Sequence, residues 1–333
     1  IFAASFYLLS RYEEYLPFVK DSSGRFPAEE SLGFKHGFLR KPIVDMWAFK
    51  FGKLLLQRFP DEKFTPKKSN LKIIVAVAEA YRYRKRGVVR TFGGVMRDLS
   101  QLKPALLLER FRVLALNRKD PYDIFNNLVR FLKKKKLTFQ FMFQLSDYSR
   151  INKNLSYHKR KYRSLIKSMG DYAKTGLLLG NEAITDLEVL RSEKRRYQDI
   201  TNCPLELVLN NRFNLNLPEA YNNFDKLELK RDYSMGYVNS VGFRAGTSSP
   251  FLFYDIALER ISPLIVEPYV FNSKIFKRAH LSSVRDELLE AVEETRKVSG
   301  NLNLIFENID FSTPNNRGKL MDLIERIQDG LTG

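Results

Sequence analysis

One cysteine, three histidines and one tryptophan are all that this 333-residue sequence holds of three residue types that often mark chemistry. With Cys203 alone, no disulfide can form within the chain and no cysteine metal cluster can assemble. The histidines, His36, His158 and His280, stand in no spacing that builds a metal site. There is no run of about 18 apolar residues, so no membrane span is expected. The opening I-F-A-A-S-F-Y-L-L-S lacks the length and basic start of a signal peptide. It also lacks an initiator Met, so the true N-terminus is expected to lie upstream. Together these absences point to a cytoplasmic location.

What is present is base. Lys and Arg number 56 against 38 Asp and Glu, a formal charge of +18. The clusters fall at Arg82–Arg86, Lys133–Lys136, His158–Arg163 and Arg191–Arg196. Such a charge attracts anionic polymers, or it is spread over solvated helix faces. The run Tyr81-Arg82-Tyr83-Arg84-Lys85-Arg86 mixes rings with cations, as sugar- and base-stacking surfaces do. No nucleic-acid motif accompanies it, so nucleic acid is not the expected partner.

The periodicity reads as α/β. Residues 1–66 read as a helical N-terminal domain that ends in the Pro-flanked stretch Pro60–Asn70. Phe6, Leu9, Tyr12 and Leu16 share one helix face, Val44–Phe59 forms a second helix, and Trp47 is assigned to the core. Residues 67–333 alternate strand and helix. The first strand, within L-K-I-I-V-A-V-A-E-A, is apolar without alternation, as in a strand covered on both faces. Further strands are expected at Thr138–Leu145, Gly176–Gly180, Pro204–Asn211, Leu227–Arg231, Pro250–Tyr254, Leu264–Phe271 and Leu302–Phe306. Helices are expected at Tyr122–Lys136, capped by Asp120, and at Leu281–Val298, and an apolar stripe runs from Tyr162 to Tyr172.

The stretches S-F-Y-L-L-S-R-Y-E-E-Y-L-P, G-R-F-P-A-E-E-S, F-K-H-G-F-L-R-K-P-I-V-D, D-P-Y-D-I-F, D-Y-S-M-G-Y and G-F-R-A-G-T-S-S-P-F resemble a bacterial polysaccharide deacetylase of the NodB-homology type. More narrowly they resemble a subgroup with an uncharacterised N-terminal domain. The resemblance implies a distorted seven-stranded (β/α) barrel. It also implies removal of N-acetyl groups from amino sugars by a divalent metal such as zinc, held by one Asp and two His. The metal would polarise the amide and acidify a water, an Asp would take its proton, and a His would protonate the leaving amine.

The sequence departs from that pattern at each chemical position. The base and first metal ligand fall on Ala76 and Ala78, a metal His falls on Leu178, and the acid His falls on Glu307. An Arg and a His of the subgroup fall near Leu209 and Asn211, and a His before Pro falls on Glu267. Alanine supplies neither ligand nor proton acceptor. The reading is therefore a pseudoenzyme with no catalytic residue and no metal or other cofactor, binding a glycan or a protein partner in the remnant groove; a separate reading is a basic module that docks on an anionic polymer. The alternative is an active carbohydrate-modifying hydrolase, either an N-deacetylase or a carboxylate-based enzyme. Its site would be rebuilt from Glu79, Asp147, Asn211, Asp232, Glu267 and Glu307 at the strand ends, with Arg244 orienting a sugar oxygen or an Asp. Against it stands the simpler account that these acids pair with nearby Arg and Lys.

Overall fold

The computed structural model describes residues 1–62, 68–84, 92, 96, 99–100, 102, 104–149, 151–210 and 215–332. Nine strands form one sheet: β1 (Asn70–Val77), β2 (Thr138–Gln144), β3 (Thr175–Leu179), β4 (Leu207–Asn210), β5 (Arg231–Asp232), β6 (Phe251–Asp255), β7 (Arg260–Val266), β8 (Phe271–Asn272) and β9 (Asn301–Glu307). Their order is β6-β7-β5-β4-β3-β2-β1-β9-β8. Every pairing is parallel except β6 with β7. The helices are α1 (Phe2–Leu9), α2 (Leu32–Lys35), α3 (Ile43–Arg58), α4 (Pro104–Leu114), α5 (Phe125–Lys134), α6 (Arg160–Gly170), α7 (Leu187–Thr201), α8 (Glu219–Lys226), α9 (Leu281–Arg296) and α10 (Pro314–Thr332).

β1 is an interior strand and, from Ile73 onward, apolar on both faces, which is why its sequence does not alternate there. Its outer face, Ile73, Val75 and Val77, joins Phe141 and Phe143 of β2, Leu128 and Leu132 of α5, and Ile166 of α6 in the main core. Its inner face, Ile74 and Ala76, meets Met142, Leu178, Leu209, Tyr233, Tyr269 and Ile305 in a second cluster. Small residues let the strands approach there. A Cβ on Gly176 would stand 2.5 Å from the Leu207 carbonyl oxygen and 2.6 Å from the Met142 sulfur.

The sheet is curled. β1 and β7 lie five strand steps apart, roughly 24 Å in a flat sheet. Yet Lys72 Nζ sits 3.2 Å from Glu267 Oε2 and 3.2 Å from the Tyr233 hydroxyl. Only a barrel-like curl brings these ends together. The segment after β7 then crosses the opening. Glu267 N–H donates to the Asp232 carbonyl (2.8 Å), Tyr269 N–H to Met235 (2.9 Å), and Val270 N–H to Asn303 (3.1 Å). The expected strand Leu264–Phe271 is thus split between the end of β7, which pairs with β5 and β6, and the two-residue edge strand β8, joined by a crossing. Likewise Leu227–Arg231 is mostly turn, and β5 comprises Arg231–Asp232. Among the described residues there are nine strands where seven were expected, and β6 adds an antiparallel edge to β7.

Other expectations shift for local reasons. The Asp120 carboxylate accepts from the N–H groups of Arg82 (2.8 Å), Tyr83 (2.9 Å), Arg84 (3.0 Å) and Tyr122 (3.0 Å). It ties down the loop after β1 instead of capping a helix, and α5 starts at Phe125. The rings and cations of that loop face protein: the Tyr83 hydroxyl donates to Glu109 (2.6 Å) and Arg82 pairs with Glu109 (3.2 Å). Lys85 and Arg86 lie outside the described residues, as do 63–67 of the Pro60–Asn70 stretch.

The N-terminal segment is fixed by charge. Arg244 Nε and Nη2 donate to the two Glu14 carboxylate oxygens at 2.8 and 2.6 Å, a bidentate pair with side chains 2% and 4% exposed. Arg11, fully buried, donates to Glu14 (2.7 Å), pairs with Glu13 (2.7 Å) and donates to the Arg244 carbonyl. Burial alone would raise the Glu14 carboxyl, but the Arg244 and Arg11 guanidiniums hold it below the ordinary glutamate value. Around this clasp, Phe243 N–H donates to Leu39 (2.9 Å) and Val44 N–H to Gly246 (2.9 Å), and Gly246 takes a left-handed φ of +65°. Asp45 accepts from Thr247 Oγ1 (2.9 Å) and from Ser248 N–H (2.6 Å) and Oγ (2.8 Å). Arg244 is thus a structural arginine rather than a ligand-orienting one, and the stretch G-F-R-A-G-T-S-S is a docking strip.

Beyond that strip the segment is lightly held. α1 ends at Leu9, and Arg11 turns the chain with a φ of +57°, so the expected face through Tyr12 and Leu16 does not form. None of the sixteen residues of α3 is buried; Trp47 is half-buried, and Phe49 and Leu54 are exposed. Replacing Glu14 by Ala strands the buried Arg244 without a carboxylate. It is expected to lower stability by about 3–5 kcal/mol. The check is the urea midpoint, read by far-UV dichroism; an unchanged midpoint would contradict the clasp.

Candidate functional site

In barrels of parallel strands, chemistry gathers at the C-terminal strand ends. There β1, β2 and β9 deliver their last residues to a cavity of about 430 Å³. It is lined by Ala78 and Glu79 after β1, Gln144 of β2, Ile151, Asn152 and Lys153 of the following loop, Lys274 and Lys277 after β8, and Glu307, Asn308 and Ile309 at the end of β9. A larger cavity of about 650 Å³ opens at the opposite strand ends, beside Lys174, Cys203 and Glu206. Cys203 is exposed there.

The floor of the first cavity is a preset amide network. Gln144 Nε2 donates to Asn152 Oδ1 (3.1 Å) and Ser146 Oγ (3.0 Å). Asn152 Oδ1 also accepts from Asn181 N–H (3.3 Å), and its Nδ2 donates to Glu182 (3.2 Å). Asn154 Nδ2 donates to the Ser146 carbonyl at 2.7 Å, and Asn308 Nδ2 to the Glu79 carbonyl at 3.0 Å. These bonds orient the amides before any ligand arrives.

The charged wall is set by the turn after β9. Glu307 and Asp310 form a capping box: the Asp310 carboxylate accepts Glu307 N–H (2.8 Å), and the Glu307 carboxylate accepts Asp310 N–H. Burial pushes Asp310 up to about 6. Across from it Lys274 Nζ stands 3.5 Å from Glu307 Oε1. Burial lowers the Lys274 ammonium below the ordinary lysine value, against the attraction of Glu307.

The residues singled out in sequence disperse. Glu79, Ala78 and Glu307 reach the cavity. Ala76 and Leu178 lie in the inner apolar cluster. Asp147 is exposed and pairs with Arg196 at 2.7 Å. Asp232 points to the outer face, where its carboxylate accepts from the Tyr221 hydroxyl (2.9 Å), Ser234 N–H (3.0 Å) and Ser234 Oγ (2.6 Å); burial pushes it up to about 6. Glu267 is enclosed between Lys72 and Arg231. Asn211 lies outside the described residues. An acidic pocket of six groups is not what these side chains build, because Asp147, Asp232 and Glu267 are each engaged away from the cavity.

A divalent metal of the kind the resemblance implies does not fit this donor set. The cavity offers two glutamates, a methyl group at Ala78 and three lysines that compete with a cation. Among the described residues no group of three or more His, Cys, Asp or Glu is placed to hold a metal ion. His36, His158 and His280 are all exposed.

Lys274 and Asn152 escaped sequence reasoning because loops carry them to the cavity. Glu193 did leave a signal. Leu190, Tyr197 and Ile200 form the buried face of α7, and an acid stands in line with them. Glu193 is fully buried, accepts Gly180 N–H at 3.0 Å, and its other oxygen has no hydrogen-bond partner among the described residues. Burial raises it to about 7. The protonated form is thus favoured in the fold: its contribution is complete below the unfolded value near 4.5 and is lost as pH rises through 7. Against Glu193→Gln, the parent should lose about 3 kcal/mol of relative stability between pH 4 and 9, measured by urea unfolding. A pH-independent difference would contradict this placement.

Residues 1–60 match a family model described as a family of unknown function, DUF7033. No curated protein matches the chain. Among solved structures, the chain is similar to BA3943 of Bacillus anthracis, a CE4 family pseudoenzyme, at 10% identity and a TM-score of 0.41, covering 80% of this chain and 62% of that one. A mutant of that protein with restored enzymatic activity gives the same TM-score and identity, with 64% of its length covered. The polysaccharide deacetylase Bc1974 of Bacillus cereus is similar at 6% identity and a TM-score of 0.36, over 78% of this chain and 88% of that one. The chain spans less than two thirds of the length of the first two.

Proposed function

We propose that this chain is a polysaccharide deacetylase-like protein that binds a glycan in the cavity at the C-terminal strand ends and does not hydrolyse it. The observation that carries the reading is the pairing of Ala78 with Lys274 at that cavity. Metal-assisted deacetylation needs a carboxylate base and a dianionic or imidazole-rich cation site. Here a methyl group stands where the resemblance places a metal ligand, and a half-buried ammonium occupies the wall beside Glu307. What remains suits binding: oriented amides for hydroxyl or acetamido groups, and Ile151 and Ile309 for the apolar face of a sugar ring. Residues 1–62 then act as a brace for the barrel, through the Arg244–Glu14 clasp. Among the described residues no helix is long and apolar enough to cross a membrane.

The test is calorimetric titration with tetra-N-acetylchitotetraose, with and without EDTA, and an acetate-release assay on the same sugar with added zinc. The expected result is binding that EDTA does not change, with no acetate. Asn152→Ala should weaken binding by about tenfold, as one to two hydrogen bonds are lost. Zinc-dependent acetate release would overturn the reading.

A further inference from the structure

We propose that the outer faces of α5 and α6 form a docking surface for a linear acidic polysaccharide, separate from the cavity at the strand ends. Neither helix contains an Asp or a Glu, in F-N-N-L-V-R-F-L-K-K or in R-K-Y-R-S-L-I-K-S-M-G. Arg130, Lys133 and Lys134 of α5 and Arg160 and Lys161 of α6 are all exposed. The two helices are neighbours on the barrel, since α5 leads into β2 and α6 leads from β2 to β3. Lys133 Nζ lies 4.4 Å from the centre of the Tyr172 ring, just beyond α6. Lys161 stands on that same side of α6, because Lys161, Leu165, Ser168 and Tyr172 follow one another at helical spacing.

Charge on this flank is sorted as well as abundant. The neighbouring cations are matched: Lys135 by Glu325 of α10 (2.9 Å), Arg326 by Asp322 of α10 (2.8 Å) and Arg191 by Glu188 of α7 (2.7 Å). Arg163 is turned toward α7 and donates to the Asp199 carbonyl (3.0 Å), and Lys167 shares the larger cavity with Asp171. Asp123, ahead of α5, lies near Lys119 and Arg84. Among the described residues no carboxylate lies within ion-pairing distance of the five exposed cations of the band. Arg130 and Lys134 stand one turn apart as like charges, a destabilising pair that a bound anion relieves.

Each exposed contact is weak alone, so the ligand that gains most repeats its charge along a chain. Neither helix exposes a large apolar side chain to enter a lipid surface, and Lys133 covers the Tyr172 ring on which a base would stack. The band stands on charge; the choice of a sugar polymer rests on the glycan-binding reading. The loop that carries Ile151, Asn152 and Lys153 to the cavity leads into α6, which puts Arg160 and Lys161 at the cavity end of the band.

The experiment titrates polygalacturonate, with its methyl ester as the uncharged match, at about 0.1 M salt. Duplex DNA and phosphatidylglycerol vesicles are the competing anions. Two variants each lose four cations. One changes the band: Arg130→Gln, Lys134→Gln, Arg160→Gln and Lys161→Gln. The other changes cations paired elsewhere: Arg191→Gln, Arg285→Gln, Lys297→Gln and Arg326→Gln. The expected result is binding of polygalacturonate but not of the ester, weakened about tenfold or more in the band variant, the scale of several exposed ion pairs, and about twofold at most in the other. Both variants should bind tetra-N-acetylchitotetraose as the parent does, since none of the altered residues lines the cavity. Equal weakening in the two variants would reduce the effect to net charge and overturn the inference. DNA or vesicles bound more tightly than polygalacturonate through the same band would overturn the sugar polymer as its occupant. Either outcome leaves the glycan reading standing while the tetrasaccharide binds. A parent that binds polygalacturonate but not the tetrasaccharide would overturn that reading alone.

Discussion

A parallel sheet with two apolar faces must cover both, and in this chain helices cover only the outer one. Curvature covers the other. The contact that reveals it is Lys72 with Glu267, joining strands five steps apart. Glu267 also accepts from Arg231, and the Tyr233 hydroxyl accepts from both Lys72 and Gln140, so the charges inside the barrel are shared among several donors. An unshared charge in that position would carry a desolvation penalty of several kcal/mol. Gly176 is small because Leu207 and Met142 leave no room for a Cβ there.

The clasp of Arg11, Glu14 and Arg244 solves a different problem. The N-terminal segment buries few apolar side chains, and α3 buries none fully. Hydrophobic area therefore contributes little to its position, and directional bonds take over. A bidentate Arg–Glu pair has one geometry, and the Asp45 bonds to Thr247 and Ser248 fix the second point of attachment. Two such points define the placement of a segment that apolar packing alone would leave loosely specified.

At the cavity, the same scaffold carries charge of a sign unsuited to metal chemistry. Barrel folds place whatever their strand ends carry into one shared space, and the residue types decide what that space can do. Lys274 is the clearest case: its ammonium sits near the carboxylate that the resemblance would place as an acid histidine, and the pair neutralises what a metal would need. Amides held by their own network form the floor, which suits recognition of neutral polar groups.

Period and composition alone were enough to read the α/β class, the buried character of β1, and the positions of β2, β3 and β9, because continuous apolar runs report burial on two faces. They also marked Ala78, Glu79 and Glu307 as strand-end residues, and these do share one cavity. Local pattern could not place Asp232, Glu267 or Arg244. Each is a polar residue near a strand end or loop, and only through-space partners distinguish a cavity wall from a buried ion pair: Tyr221 and Ser234 for Asp232, Lys72 and Arg231 for Glu267, Glu14 for Arg244. Lys274 escaped for the converse reason. The segment from Glu267 to Val270 reads as the continuation of a strand, but closure of the barrel turns it into a crossing, and the turn beyond β8 then carries Lys274 to the cavity. Periodicity of the chain determined which residues are buried; curvature of the sheet decided which of them meet.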